Sequence, residues 1–409
     1  MEDSAGVAAV EVFVGVDIAK GDHWACAITA GGEELFSRAV RNDEAAIDAL
    51  IDEAADHGPA ALVVDQTGSA ASLVLEAAAR RGAAVAYVPG LVMRRAADLY
   101  AGAAKSDPKD AFVLADYARR NADRLGWAEP AGELLARLRV LNGRDADLAA
   151  DATRAANRLR DALLAVCPAL ERAVGDQLST SAGLRQALSR WPTPAALRKA
   201  GRARIRTAIA RRNPRKADTL AAAIWSALSA QTITVAAEAA WGDAISDLAS
   251  DLDRICGRRD QLETQIEQAF MDHPLGKVLS TMCGFGPRTG ARTLAEIADP
   301  HRFDNPARLA SYAGLAPTDR QSGRSHTTRQ NRHGNHRLKN AMFQAAFTAS
   351  QHDPWARAYY QKKRAEGKKH NAAITALARK RCNIVLAILK TQTPYQPPPN
   401  QPEKLAPAA

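Results

Sequence analysis

Four aspartates in the first part of the chain have the spacing of a catalytic metal site. Asp17 ends an apolar run that begins at Val12, and Asp65 follows a second apolar run, 61–64. A buried strand would not otherwise place an ionisable group at these positions. Asp107 and Asp110 lie three residues apart at the start of a predicted helix, and so share one helix face. Neighbouring strands would bring the first two carboxylates to one sheet edge, and we expect all four to converge there.

Such a cluster would perform metal-assisted phosphodiester chemistry. Closely packed carboxylates repel one another, so the cluster persists only if a cation is bound, and oxygen ligands alone select Mg²⁺ or Mn²⁺. Two such ions about 4 Å apart can polarise both the attacking and the leaving oxygen. The alternative is structural, because an aspartate after a strand often caps a helix and an acidic pair at a helix start often only complements the dipole.

The elements that must position these acids alternate in a mixed α/β pattern. The predicted strands are Val12–Asp17, Trp24–Thr29, Glu34–Val40, Ala61–Asp65 and Ala83–Val88. The predicted helices lie near Asp43–His57, Ser69–Arg81 and Pro108–Arg120. Three strands in succession, followed by strand and helix in alternation, are typical of a mixed sheet.

From about residue 130 the strand signals stop, and two heptad-like runs of apolar residues follow. The first run extends over 134–166 and is interrupted by Asp145, and the second extends over 241–266 with Arg259 at a seam position. Two such helices predict an antiparallel coiled-coil arm, in which a lone polar seam residue fixes the register. Between them, Arg198–Lys216 has nine Lys and Arg among nineteen residues and no acid, which predicts a basic tip.

Composition favours a folded protein with a polyanionic partner. The chain has 409 residues, 46% hydrophobic and 24% charged, with a net charge of +10. Clustered Lys and Arg neutralise phosphates well. The acidic start and the lack of a long uncharged apolar run predict neither a secreted nor a membrane protein, and so a cytoplasmic one. The five cysteines form no C-x-x-C pair, which indicates buried thiols rather than a zinc site.

The C-terminal part has its own candidate nucleic-acid contacts. The segment 279–290 contains Gly284 and Gly286 in the apolar-Gly-apolar-Gly pattern of helix-hairpin-helix turns, where glycine amides can approach a phosphate. A plain interhelical turn is the alternative. Trp355–Arg381 has nine Lys and Arg against one acid, interleaved with aromatic residues, which suits backbone contacts and base stacking. A solvated helix face is the alternative here.

The acidic motifs carry a resemblance to a known family. Asp17, the segment 62–68 around Asp65, and the segment 105–111 around Asp107 and Asp110 resemble the catalytic domain of the DEDD transposases of the one-hundred-and-ten family of bacterial insertion sequences. The resemblance implies a ribonuclease-H-like, resolvase-like domain in which these four acids bind Mg²⁺ or Mn²⁺. The family ordinarily has Glu at the second position, so the Asp65 carboxylate must sit about 1.5 Å further back.

The C-terminal motifs resemble the second domain of the same family. They are Gly314-Leu315-Ala316-Pro317, then Ser322-Gly323, then Gly334-Asn335 followed by Leu338. The resemblance implies that Ser322 is a nucleophile that joins covalently to DNA, although the residues alone would predict a turn serine. A serine hydroxyl needs activation, and nearby arginines could stabilise the phosphorane. The expected nucleic-acid contacts are Lys105, Gly284, Gly286, Arg320, Arg324, Arg329, Arg332, Arg337 and Lys339.

The resemblance spans residues 12 to 390 and predicts four segments. These are a DEDD catalytic domain over 10–128, a helical coiled-coil arm over 129–272, a mostly helical transposase domain over 273–390, and a disordered Pro-rich tail over 391–409.

The expected activity is DNA cleavage and rejoining through a serine–DNA intermediate. The family also implies a structured non-coding bridge RNA that selects donor and target DNA, dimers that pair into tetramers, and a bacterial, nucleoid-associated location. Two alternatives stay open. One is a junction-specific endonuclease that uses metal-activated water, and the other is a non-catalytic, transposase-derived nucleic-acid-binding protein.

Overall fold

The computed structural model divides the chain into two compact units, at the boundary between Gly132 and Glu133. It describes residues 10–100, 106–122, 125–128, 132–322, 325–329, 331 and 334–397, and for 318–322 and 325–329 it describes the backbone alone.

The first unit is built on a six-stranded mixed sheet in the order β3-β2-β1-β4-β5-β6. Its strands are β1 (Val12–Asp17), β2 (Asp22–Thr29), β3 (Glu34–Arg41), β4 (Ala60–Val64), β5 (Ala84–Tyr87) and β6 (Gly126–Ala128). The β1–β4 and β4–β5 pairs are parallel, and the other pairs are antiparallel. This mixed sheet is consistent with a ribonuclease-H-like domain.

Helices cover both faces of this sheet, which is why β1 is apolar at nearly every position rather than at alternate ones. They are α1 (Glu44–Asp56), α2 (Ser72–Arg81), α3 (Gly90–Ala97) and α4 (Asp107–Arg120). Val12, Val14 and Val16 pack in one core with α1 and α2. Phe13 packs in the other core, with α3 and α4.

The sequence predicted β1 to β5, α1, α2 and α4 within a few residues, but it missed α3 and β6. β6 has three residues, Gly126-Trp127-Ala128, too few to show an alternating pattern. α3 has eight residues and begins at Gly90, directly after Pro89. Gly and Pro at a helix start resemble a loop signal.

The second unit contains two long helices, α5 (Glu133–Val166) and α11 (Glu238–Asp272). The first half of α5 shares a core with the last third of α11, and the second half of α5 shares another core with the first half of α11. The two helices are therefore antiparallel, as the two apolar seams predicted.

Further helices surround both ends of this pair. One core includes α6 (Pro168–Val174), α7 (Ala182–Arg190), α8 (Pro194–Ala200), α9 (Arg202–Ala210) and α10 (Ala217–Ala230). The other includes α12 (Pro274–Ser280), α13 (Pro287–Ile297), α14 (Pro306–Tyr312), α15 (His336–His352), α16 (Pro354–Ala365) and α17 (His370–Thr391). The basic segment 198–216 lies in the first of these groups, away from α12 to α17.

A two-stranded hairpin between α14 and α15 was not expected. Its strands are β7 (Thr318–Ser322) and β8 (Ser325–Arg329). Both are polar throughout, so neither has the apolar alternation of a half-buried strand.

The expected disordered tail begins with residues that contact the core. Tyr395 packs against the C-terminal core, and its amide donates to Thr281 Oγ1 at 2.8 Å. Residues 398–409 lie outside the described part of the chain.

All five cysteines are free thiols. Cys26, Cys167 and Cys382 are buried, as predicted, whereas Cys256 and Cys283 are only half-buried, contrary to the prediction. Among the residues that the structure describes, no helix has the length and apolarity needed to cross a membrane.

Candidate catalytic site and nucleic-acid interface

Asp17 and Asp65 lie side by side at the carboxyl ends of two neighbouring parallel strands. The β1–β4 register places Val16 opposite Val64; Asp17 is the next and last residue of β1, and Asp65 directly follows β4. Both aspartates are half-buried, and Oδ1 of Asp65 is shielded from solvent. Just beyond them, Gln66 Nε2 donates to Ile18 O at 2.8 Å, which ties the two segments together.

Helix α4 runs antiparallel to β1. Near the helix C-terminus, Arg119 Nη1 donates to Ala30 O at 3.3 Å. The Ala30 amide donates to Glu11 O at 2.7 Å, just before β1 begins. The C-terminus of α4 therefore lies at the start of β1, and its N-terminus lies at the end of β1.

A close contact at Gly15 sets the level of α4 along β1. A Cβ atom on Gly15 would lie 2.0 Å from Ala111 O, so the helix backbone rests directly on the strand. From Ala111 back to Asp107 the helix rises about 6 Å, and from Gly15 to Asp17 the strand advances about 6.6 Å. Asp17 and the first turn of α4, which also contains Asp110, therefore lie at the same level.

The four acids offer carboxylate oxygens alone, a ligand chemistry that suits Mg²⁺ or Mn²⁺. Asp107 is exposed and Asp110 is half-buried. Within the described ranges, however, no three His, Cys, Asp or Glu side chains are grouped closely enough to hold a metal ion. The four acids therefore lie at one end of the sheet, but their side chains are not arranged around a common metal position. Lys105, an expected nucleic-acid contact, lies outside the described residues.

Ser322 is the last residue of β7, in the second unit. The hairpin register places it opposite Ser325, with Arg320 opposite Thr327 and Arg329 opposite Thr318. Residues 323–324, including Arg324, lie outside the described residues, as does Arg332.

The Gly-Asn motif forms the root of this hairpin. Asn335 N donates to Tyr312 O at 2.7 Å, and Asn335 Oδ1 accepts from Leu338 N at 2.9 Å and so caps α15. Gly334 has a φ of +108°, and a Cβ atom there would lie 2.7 Å from Gly314 N. Both residues of the motif are therefore required by local structure.

Asn335 also makes side-chain contacts that no motif indicated. Its Nδ2 donates to Glu296 Oε2 at 2.6 Å and to the Tyr312 hydroxyl at 3.0 Å. Glu296 lies on α13, 39 residues earlier in the chain. No spacing rule connects residues so far apart, so only the assembled fold could show the contact.

The two candidate glycines of the helix-hairpin-helix turn differ. Gly284 has a φ of +92°, and a Cβ atom there would lie 2.3 Å from Ala345 O, so packing against α15 already requires glycine. Gly286 is exposed at the N-terminus of α13, with open space where a Cβ atom would be. Phosphate contact at either glycine stays a prediction.

The two other basic residues predicted to contact nucleic acid each lie close to a group of the protein itself. Arg337 is exposed, with Nη1 3.9 Å from Glu296 Oε1. Lys339 Nζ donates to Asn331 O at 3.0 Å.

Part of the basic, aromatic segment belongs to the core. Trp355 and Tyr359 stack on each other with ring centroids 6.1 Å apart, and both pack against the core. Arg381 is fully buried, and its guanidinium donates to Cys283 O. Arg381 is therefore unable to contact nucleic acid, contrary to our interpretation of the segment.

Comparison with known proteins defines the class of protein first. A family model described as a transposase matches residues 14–168, which include the strand-end acids and α4. A second model, described as a transposase of the IS116/IS110/IS902 family, matches residues 276–361, which include the hairpin and its root.

Full-length relatives then identify the family. A 43.6 kDa protein of insertion element IS110 from Streptomyces coelicolor is 43% identical over 389 residues, which cover 95% of this chain and 96% of the relative. A 44.8 kDa protein of insertion element IS116 from Streptomyces clavuligerus is 39% identical, over 95% of this chain and 97% of the relative. The chain belongs to the IS110 family of insertion-element transposases, the one-hundred-and-ten family that the motifs indicated.

A more distant similarity covers a shorter region. The pilin gene-inverting protein of Moraxella bovis is 31% identical over 142 residues, which cover 33% of this chain and 44% of that protein.

Proposed function

We propose that this protein cuts and rejoins DNA strands through a covalent bond to Ser322, with divalent metal held by Asp17, Asp65, Asp107 and Asp110. The observation that carries the proposal is the meeting of the β1 and β4 ends with the N-terminus of α4, in the region that the first transposase model matches. Ser322 lies in the region that the second model matches. The name of the Moraxella relative states that it inverts a gene, which is also a DNA rearrangement.

The chemistry is two successive exchanges at phosphorus. Ser322 Oγ attacks the scissile phosphorus and loses its proton, the Oγ–P bond forms, and the bond to the departing DNA oxygen breaks as that oxygen takes up a proton. A hydroxyl of the strand to be joined then attacks the phosphoserine and loses its proton. The new oxygen–phosphorus bond forms, and the Oγ–P bond breaks as Ser322 Oγ takes up a proton. Mg²⁺, when bound, would supply charge stabilisation for the attacking and leaving oxygens. The role of the four acids is to hold that charge at one end of the sheet.

The partners also belong to the proposal. We propose donor and target DNA, a structured non-coding bridge RNA that selects them, and a dimer or tetramer in which the α5–α11 coiled-coil arm is the contact. The net charge of +10 and the basic segment 198–216 support polyanionic partners.

The test is a matched pair of serine variants. Ser322→Ala should abolish the covalent protein–DNA adduct, seen as a shifted band in a denaturing gel, and leave DNA binding intact. Ser325→Ala is the control, because Ser325 is the register partner of Ser322 on the same hairpin. If the adduct persists in Ser322→Ala, the nucleophile is another residue.

The same gel, together with a metal titration, separates the other candidate functions. Asp17→Asn should abolish the adduct and the divalent-dependent heat in calorimetry. Cleavage with free DNA ends and no adduct in the wild type would indicate a water-using junction endonuclease. DNA binding with neither cleavage nor divalent-dependent heat would indicate a non-catalytic binding protein.

A further inference from the structure

A polar cleft lies in the second unit, where α5, α13 and α15 meet. It has a volume of about 200 Å³ and is lined by Arg139, Asn142, Arg292, Glu296, Arg337 and Asn340, among others. No sequence motif other than the one around Arg337 pointed to these residues.

The cleft has an excess of positive charge, because Arg139 and Arg337 face Glu296 alone, while Arg292 is paired with Asp145. Arg139 is half-buried, its Nε donates to Ala295 O at 3.4 Å, and the nearby carboxylate, Glu296, also accepts from Asn335 Nδ2. Burial lowers the pKa of Arg139, which reflects the cost of holding a cation there. Arg337 is loosely placed, 3.9 Å from Glu296, with 70% of its side chain exposed. An anion in the cleft would compensate both charges.

Asn142, on the same wall of the cleft, is 8% exposed, and its Nδ2 is shielded from solvent. An atom shielded from solvent is also out of reach of a ligand oxygen, so this amide lines the cleft without donating into it. The donors available to an oxyanion are therefore the guanidinium groups.

The cleft also adjoins the root of the Ser322 hairpin. Glu296, on the wall of the cleft, accepts from Asn335 Nδ2 at 2.6 Å. The Asn335 amide in turn donates to the carbonyl oxygen of Tyr312, which lies six residues before β7 begins. A DNA strand that reaches the hairpin would therefore pass close to the cleft.

We propose that this cleft binds one backbone phosphate of the DNA strand on which the hairpin acts, with Arg139 and Arg337 as its donors. Arginine is suited to this role, because its planar fork can donate two hydrogen bonds to one phosphate. The proposal rests on the proposed function for the identity of the strand, and it makes these two side chains positioning residues rather than catalytic ones.

The test measures how binding depends on salt. The full-length protein is titrated into fluorescein-labelled duplex DNA at a series of salt concentrations, and anisotropy gives the affinity. Arg139→Gln and Arg337→Gln should each lower the affinity roughly tenfold at low salt. Each should also lower the slope of log affinity against log salt by about one, irrespective of DNA sequence.

The matched control is Arg137→Gln. Arg137 is an exposed arginine two residues away on the same helix, and it does not line the cleft. It should keep the wild-type slope to within the scatter of the measurement. Because Arg337 is largely exposed, its replacement tests the cleft without disturbing the core, and thermal melting checks folding of the Arg139 variant.

Three results would overturn the proposal. The first is an unchanged slope in folded Arg139→Gln and Arg337→Gln, and the second is a wild type that binds no DNA. The third is a lowered slope with single-stranded RNA of the same sequence and not with DNA, which would assign the cleft to RNA. The adduct assay distinguishes the two proposals. If the arginine variants lower the salt slope but the wild type forms no adduct, the catalytic role of Ser322 is wrong and phosphate binding in the cleft is still supported.

Discussion

His273 shows how a single side chain can make the helical unit sensitive to pH. It lies between α11 and α12, and its Nδ1 accepts from Leu275 N at 3.2 Å, so the imidazole caps α12. Burial lowers the pKa of His273 below its ordinary value of 6.5. A neutral ring can accept this hydrogen bond, whereas a ring with both nitrogens protonated is unable to do so.

The sign of the pH dependence follows from that direction. The folded pKa is lower than the unfolded one, so below pH 6.5 the unfolded state binds more protons. The contribution of His273 to stability is therefore full above pH 6.5 and is lost as pH falls through the folded pKa.

We expect His273→Asn, which keeps a capping acceptor and does not titrate, to flatten this pH dependence. Urea unfolding followed by circular dichroism across that pH range measures it. His352→Asn, at an exposed histidine at the end of α15, is the control and should behave as the wild type. Parallel pH profiles for the wild type and His273→Asn would show that protonation of His273 does not affect stability.

At the scale of elements, a buried charge network joins the long helices to α13. Asp145, which interrupts the first apolar seam, accepts from Arg259, the seam residue of the second, with Nε at 3.1 Å. Arg292 Nη2 lies 3.2 Å from the other oxygen of Asp145, and Arg288 Nε lies 3.9 Å from the first. The two polar seam residues therefore pair with each other, which sets the register of α5 against α11.

Removing Asp145 should be costly, because the carboxylate is 3% exposed and its loss leaves three half-buried arginines without their shared partner. We expect Asp145→Ala to lower the free energy of unfolding by about 3–5 kcal/mol. Asp151→Ala is the matched control on α5, since Asp151 pairs with Arg154 at the surface, and it should cost less than about 1 kcal/mol. If urea unfolding gives equal losses in the free energy of unfolding for the two variants, the charge network does not fix the register of the two helices.

At the scale of the whole molecule, the residues proposed for one reaction lie in two units with separate cores. The acids belong to the unit that ends at Gly132, and Ser322 belongs to the unit that begins at Glu133. Two copies of the chain could therefore each supply one half of a site.

This separation predicts complementation between inactive full-length variants. Asp17→Asn and Ser322→Ala should each form no adduct alone, and a mixture of the two should regain part of the wild-type adduct. The denaturing gel used for the single variants measures it, and a mixture of two Ser322→Ala preparations is the control. A mixture that stays inactive would mean that each chain must supply both the acids and the serine.

The sequence by itself determined the elements whose signals are local. The apolar runs before Asp17 and Asp65 predicted β1 and β4, and the two apolar seams predicted α5 and α11, because side-chain burial repeats with the period of the strand or helix. Asp17 and Asp65 were visible for the same reason, as charges where an apolar run ends, and Asp107 and Asp110 were visible from their spacing at a helix start. The family resemblance came from short motifs of this kind.

Tertiary structure alone decided how distant segments meet. The level of α4 on β1 depends on the backbone contact of Gly15 with Ala111, and the polar hairpin that holds Ser322 has no apolar pattern of its own. The cleft brings Arg139 to Ala295, 156 residues away along the chain. Such contacts depend on the packing of whole elements against one another, and periodicity within a segment contains no information about them.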